Sequence, residues 1–301
     1  MRISTTQMSL DAVNDLNSSM TQVQNYSEEL STGLAVNEPS DNPQAAGEIV
    51  NLDSDISLDT GYTDSAQTGA AQLTQASSAL GQVLTLLNSV QSSAETGLNS
   101  ATENQGDLDN LATSVNTALS QILSLANTQS NGQSLFAGYQ VNGPAFTATT
   151  TAGQITGVTY NGDDGVNSAQ VGTDTSVATN IPGGQVFDAA GSSVFQSVIA
   201  IAQALQSGDQ SGLNAGLAQL TSSIQTVTAS QAQTGALQQT LQNQESSLST
   251  LQTNLNTNLG QVQNANMTTV ATAYQQALNT YEAGMQAAGL VAQLPSIVNY
   301  M

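Results

Sequence analysis

The chain has no cysteine, no histidine, no lysine and no tryptophan, and its single basic side chain is Arg2. Each absence removes a class of chemistry. Without Cys there is no thiolate nucleophile, no disulfide framework and no soft metal site; without His there is no imidazole to exchange a proton near neutrality; without Lys there is no Schiff base. Carboxylates and hydroxyls remain, with no base to activate a hydroxyl, so an enzyme would have to be a carboxylate-only hydrolase. The sequence therefore reads as non-catalytic and without a cofactor. The missing disulfides fit a protein kept inside the cell, or one exported unfolded through a narrow channel.

Other absences bear on partners. One arginine cannot neutralise a phosphate backbone, which argues against nucleic acid. No run of about 18 apolar residues occurs, so insertion into a membrane is not expected. Met1 to Met20 is broken by polar residues every few positions and lacks the continuous apolar segment of a cleaved secretory signal. Aromatic residues make up only 4% of the chain against 39% hydrophobic residues overall. A thick globular core is thus less expected than long helices packing small, Leu and Val side chains against one another or against neighbouring subunits.

The formal charge of −21 comes from removing bases, since 22 acidic residues in 301 is an ordinary or low number. In acid, at roughly pH 2 to 3, most of these carboxylates are neutral and the surface is nearly uncharged. A lysine-rich protein would repel itself there; this one would not. An acidic external environment is the expectation.

What is present is mostly helical periodicity. Val13, Leu16, Met20, Val23 and Leu30 recur at spacings of three and four, with Ser27 filling one gap, which is a coiled-coil seam. Gly33 is placed to end that helix. In Glu38-Pro39-Ser40-Asp41-Asn42-Pro43 the prolines and Asx side chains favour a turn, and Asp41 or Asn42 can cap a second helix opening on Pro43. A longer series, Ala66, Ala70, Leu73, Ser77, Leu80, Leu84, Leu87, Gln91, Ala94 and Leu98, would alone reach about 48 Å at the helical rise. After a polar break around Thr102 to Asp107, a further stripe from Leu108 to Leu125 predicts a helix ending near Asn127.

Between about Ser130 and Gly191 the helical period disappears and Gly, Thr, Asn and Val dominate. Gln154 to Tyr160 alternates loosely and meets Asn161-Gly162, a strong turn signal, so a small β-rich insertion is expected. Helical spacing returns at Val194, pauses at Ser207-Gly208-Asp209, and resumes at Leu213. From there a nearly unbroken helix-forming tract is expected to reach Leu294, with Pro295 the interruption. The fold class is mainly α: a long antiparallel helical bundle or coiled coil made by the N- and C-terminal segments, carrying a small β-rich insertion at its far end. The expected division is residues 1–45 with 260–301 as an inner terminal-helix domain, 46–140 with 192–259 as a helical rod, and 141–191 as an outer insertion. Few charges flank the seams and many core positions are Ala, Ser or Gln, so burial inside a polymer is expected to supply what a monomer lacks.

Certain residues carry a resemblance. Met1-Arg2-Ile3-Ser4-Thr5, Leu30-Ser31-Thr32-Gly33 and Val36-Asn37-Glu38-Pro39-Ser40-Asp41-Asn42-Pro43 resemble the N-terminal region shared by flagellins and flagellar hook-associated proteins. Pro39, Ser40, Asp41 and Pro43 point to the hook-associated type. Leu125-Ala126-Asn127, Asn131 to Tyr139 and Pro144-Ala145-Phe146 are similar to a later stretch of that type, and Leu278 to Met301, with Leu294 and Val298-Asn299-Tyr300, to its tail. The resemblance covers residues 1–147 and 192–301. It departs in the near-total loss of basic residues, including Leu34-Ala35 where the family often has Lys or Arg.

The resemblance implies a structural part of the bacterial flagellum at the hook-filament junction, where it templates flagellin polymerisation. It implies export by the flagellar type III route without a cleaved signal and a chaperone covering the C-terminal helix beforehand. It also implies a ring of copies that meets the first hook-associated protein on one face and flagellin on the other. The terminal-helix residues it assigns to subunit packing are Val13, Leu16, Met20, Val23, Leu30, Leu278, Met285 and Leu290, with Phe136, Gly138 and Tyr139 where the insertion joins the helices. The rival within the family is flagellin itself.

Two motifs invite sharper readings. Asp53-Ser54-Asp55-Ile56-Ser57-Leu58-Asp59 imitates the start of a calcium loop but has Leu58 where the loop needs Gly and Asp64 where it uses Glu, so a solvated helix face is expected instead. Asp163-Asp164 could pair for catalysis, but neighbours in a turn are expected to be solvated loop residues.

Overall fold

In a computed structural model of the chain, residues 5–99, 104–189 and 192–292 are described. The opening Met1 to Ser4, including Arg2, and the ending with Leu294, Pro295 and Val298-Asn299-Tyr300 lie outside the described residues.

The first helix, α1 (Thr5–Thr32), stops where Gly33 takes a φ of +76° and its N–H donates to the Glu29 carbonyl at 2.8 Å. Glycine adopts that left-handed conformation without a Cβ penalty. Asn42 then starts α2 (Pro43–Asn99), its Oδ1 accepting from Ala45 N at 3.2 Å, with Pro43 at the first helical position where its missing N–H is no loss. The helix expected to open on Pro43 and the long series from Ala66 to Leu98 are thus one continuous element. After α3 (Gln105–Ala126), capped by Asn104 Oδ1 accepting from Gly106 N, come two short strands, β1 (Gln129–Ser130) and β2 (Gln133–Ser134).

The β region holds two longer hairpins, β3 (Phe146–Thr151) with β4 (Gln154–Tyr160) and β5 (Ser168–Gly172) with β6 (Thr175–Ala178), all antiparallel. A short helix α4 (Gly183–Phe187) and the strand pair β7 (Asp188–Ala189) and β8 (Ser192–Ser193) lead to α5 (Val194–Ser207), α6 (Gln210–Gln263) and α7 (Met267–Ala292). The pause between α5 and α6 falls where the sequence placed it. Gly208 is left-handed at φ +64°, and Asp209 Oδ1 accepts from Ser211 N at 3.0 Å to open α6.

Two expectations need correction. Asn161-Gly162 follows β4 but turns no hairpin: β4 is joined to β3 through Ala152 and Gly153, at φ +51° and +83°, a pair of left-handed residues suited to a two-residue turn. The Asn-Gly pair that does turn a hairpin is Asn131-Gly132, between β1 and β2. The C-terminal tract is also broken, at residues 264–266. There Asn266 Oδ1 accepts from Thr269 N at 3.2 Å as a cap for α7, while Ala265 N donates to Gly33 O at 2.9 Å and Ala35 N to Gln263 O at 2.7 Å. A short antiparallel backbone contact, with Leu34 bridged to Asn264, replaces the helix.

The chain divides into two units. The terminal unit is Met1–Leu58 with Leu251–Met301, and the central unit is Asp59–Thr250. In the terminal unit α1 packs antiparallel along α7. In the central unit α2 runs antiparallel to α6, with Gly69 against Leu241, Thr74 Oγ1 accepting from Gln238 Nε2 at 3.0 Å, and Gly81 against Gln231. Its main core joins α2, α3, α5 and the first half of α6 to the base of the β region. All four phenylalanines of the chain meet there: Phe146 lies 5.4 Å from Phe187 and 5.2 Å from Phe195, and Phe136 packs edge-on to Phe187 at 5.3 Å between ring centroids. Each such pair contributes about 0.5–1.5 kcal/mol beyond its buried area. A second, smaller core puts Ala169, Val171 and Val177 of the β5–β6 hairpin on Ala66, Leu73 and Leu241, so this hairpin lies on the helix pair.

Candidate assembly site

The α1–α7 seam is built from small and aromatic side chains. On α7 the buried and half-buried positions run Val270, Tyr274, Ala277, Tyr281, Gly284 and Ala288; on α1 they run Ala12, Leu16, Ser19, Val23, Tyr26 and Leu30. Both follow the alternating four-three spacing of a coiled coil. Gly284 lies against Leu16, whose Cδ1 would be 3.3 Å from a Cβ added there. Of the residues expected to pack subunits, Leu16, Val23 and Leu30 therefore sit within this seam and Leu278 is half-buried beside it. Val13 is 50% exposed, Met20 40%, Met285 45% and Leu290 68%. The small residues let the two helices approach closely, and the larger apolar side chains are left outside the contact.

That leftover surface is concentrated. Among the described residues, ten of the twelve large apolar side chains that stand exposed belong to the terminal unit; the other two are Tyr139 and Val166. Isolated exposed apolar residues are ordinary, but ten of them on one unit make that unit the candidate for assembly contacts.

The loop between α1 and α2 is held by its own acids. Asp41 Oδ2 accepts from the backbone N–H groups of Asn37 and Glu38, each at 2.9 Å, and Ser40 Oγ donates to Glu38 Oε2. Pro39, Ser40, Asp41 and Pro43 are all exposed, while Val36 is buried beneath them. Burial and the neighbouring Asp41 charge raise the Glu29 carboxyl above the usual glutamate range.

At the base of the β region Phe136 is fully buried, Gly138 is left-handed at φ +67°, and Tyr139 is exposed with its hydroxyl donating to Val166 O at 3.0 Å. Asp163 organises this turn: its Oδ1 accepts from Tyr139 N at 2.7 Å and from Gly165 N at 2.9 Å. The Asp163 carboxylate is thus committed to the backbone, not free for catalysis as one half of a pair. Tyr160 donates to Asp163 O at 2.8 Å and to Phe136 O at 3.0 Å, and burial raises its phenol above the usual tyrosine value.

The calcium-like run from Asp53 to Asp59 is helical throughout, which precludes the folded loop that would wrap a cation. Asp53 and Asp55 are solvated as expected, but Asp59 is buried, a departure from the solvated face read from the sequence. Among the described residues no group of three or more carboxylates is placed to hold a metal, and no helix is long and apolar enough to cross a membrane. A shallow cleft of about 490 Å³ beside α2, lined by Asp64, Thr68, Gln72, Gln133, Tyr139 and Thr179 among others, offers hydroxyls, amides and the single carboxylate of Asp64.

Known proteins resemble the chain in part of its sequence and in its fold. Residues 3–141 match the bacterial flagellin N-terminal helical region. The flagellar hook-associated protein 3 of Escherichia coli (strain K12) is 32% identical over 147 residues, which is 48% of this chain and 46% of that protein. That of Salmonella typhimurium is 29% identical over 189 residues, 62% of this chain and 57% of that one. A crystal structure of flagellar hook-associated protein 3 from Legionella pneumophila superimposes with a TM-score of 0.63 at 16% identity, covering 71% of this chain and 98% of that one. The chain has the fold of the solved hook-associated protein 3, and its residues 3–141 are similar to the flagellin N-terminal helical region. It spans about half the length of the curated relatives it matches. The matched region takes in α1, α2, α3 and the first strand pair, together with the Asp41 loop and the Phe136 to Tyr139 turn.

Proposed function

We propose that this chain is a structural subunit of the bacterial flagellum that sits at the junction of hook and filament and templates flagellin polymerisation. The observation that carries the reading is the gathering of exposed apolar side chains on the unit made from the chain's two ends. Such a surface is best matched by copies of the same chain in a ring and by neighbouring axial subunits, the first hook-associated protein on one side and flagellin on the other. The likeness to hook-associated protein 3 supports the junction reading over that of a bulk filament subunit. The reading includes no catalytic role, in keeping with a sequence that has no His, Cys or Lys and with an Asp163 carboxylate held by its own backbone. Export by the flagellar type III route follows, with a chaperone shielding α7 until assembly; hydrogen exchange over residues 260–301 would be slowed by that chaperone.

Electron microscopy of cells lacking the chain tests the function. Hooks without filaments, with flagellin shed unpolymerised into the medium, are expected. Loss of the filament with no flagellin in the medium would instead make this chain the filament subunit.

A further inference from the structure

From Ala66 onward, every seventh residue of α2 is fully buried and apolar: Ala66, Leu73, Leu80, Leu87 and Ala94. One heptad before Ala66 the same line reaches Asp59, which is 2% exposed. Neither of its carboxylate oxygens meets a hydrogen-bond donor. A charged carboxylate stripped of water and given no donor is strongly disfavoured, and the usual remedy is a basic partner. Among the described residues there is no basic side chain to provide one, since the single one in the sequence, Arg2, lies outside them. The nearest ionisable groups along α2 are Asp55 and Tyr62, about one turn to either side, and on α6, the helix that packs against α2, the ionisable residue nearest in register is half-buried Glu245, about two turns away. All three are acids, so none can compensate a negative charge at Asp59.

We propose that Asp59 is a proton-binding site that locks the α2–α6 helix pair of the central unit as its surroundings turn acidic. Neutral Asp59 is a small polar side chain that the seam accommodates; charged Asp59 must draw water or open the adjacent helical turns. Burial raises its carboxyl above the usual aspartate range. A carboxyl raised by folding contributes stability that is complete below its unfolded value, about pH 3.9, and lost as the pH rises through the folded value. The helix pair is therefore tightest in acid, the condition in which the base-poor surface also stops repelling itself. A single buried polar residue in a heptad seam is a recognised way to specify pairing at a cost in stability; here the cost is removed by a proton.

The test uses the full chain, its Asp59→Asn variant, in which a neutral amide mimics the protonated acid, and its Asp59→Leu variant, which continues the apolar line. Two measurements are made from about pH 7 down to about pH 4: hydrogen exchange at the amides of residues 55–66, corrected for intrinsic rates, and the carbon NMR titration of the Asp59 carboxyl. The expected result is an Asp59 midpoint above the ordinary aspartate value and a rise in protection on acidification of about tenfold or more in the native chain. In both variants protection is already high at neutral pH and that rise is absent. An Asp59 midpoint at or below the ordinary value, or the same rise in all three proteins, overturns the proposal.

Discussion

Asn127 and Phe146 bind each other twice: the Asn127 side-chain amide donates to the Phe146 carbonyl at 2.8 Å, and its Oδ1 accepts from the Phe146 N–H, also at 2.8 Å. One side chain at the end of α3 thus acts as a strand partner for the first residue of β3, fixing where the β region leaves the helices. Asn127→Ala leaves both Phe146 groups without that partner beside the phenylalanine cluster and is expected to cost about 2 kcal/mol or more, read from urea denaturation. Asn127→Asp keeps the acceptor, loses the donor and faces a carboxylate toward a carbonyl. Its deficit is expected to shrink as acid protonates the new carboxyl and restores a donor.

Gly138 is left-handed, and a Cβ there would run into the carboxylate and carbonyl of Asp163. Gly138→Ala is expected to destabilise the central unit by at least about 2 kcal/mol, measured by thermal unfolding. Asp163→Ala removes the carboxylate part of that clash, leaves the carbonyl part, and takes away the acceptor for Tyr139 N and Gly165 N. The double variant should therefore be less unstable than the sum of the single ones.

Leu73 is fully buried where α2, α6 and the β5–β6 hairpin meet. Leu73→Ala is expected to cost about 2–5 kcal/mol. Because the hairpin rests on this side chain, hydrogen exchange in residues 168–178 should accelerate more than in the β3–β4 hairpin, which packs on the phenylalanine cluster instead.

Glu29 carries a raised carboxyl because of burial first and the Asp41 charge second. Its sign matches that of Asp59: the contribution is fully present below the unfolded glutamate value, about pH 4.3, and is lost as the pH rises through the folded one. Glu29→Gln is expected to raise the melting temperature of the native chain slightly at pH 7, by less than about 1 kcal/mol equivalent for so partly screened a group. The gain should vanish in acid, and Glu29→Gln lowering the melting temperature at neutral pH would refute this reading.

Much of the molecule was legible because its signals are local. Gly33, Asn42 with Pro43, and Gly208 with Asp209 end and start helices through hydrogen bonds within a few residues of themselves, and the structure uses each of them so. The loss of helical period after Ser130 marked the β region for the same reason. The break at 264–266 went unread: its Asn cap stood in the sequence, but the backbone contact that ends α6 is made to Leu34, some 230 residues away in the chain.

Composition, caps and periodicity need no distant partner, so the missing chemistry, most helix ends and the seams at the two ends of the chain could be read directly from the residues. Which face of each seam is used depended on packing. An apolar residue and its neighbour three positions on satisfy the same pattern, and what lies opposite chooses between them. Small and aromatic residues on α7 selected the flank with Leu16 and Val23 and left Val13 and Met20 outside. On α2, the heptad line of Ala66 and Leu73, continued one step back, drew Asp59 into the interior, where no pattern of hydrophobic residues would have put it.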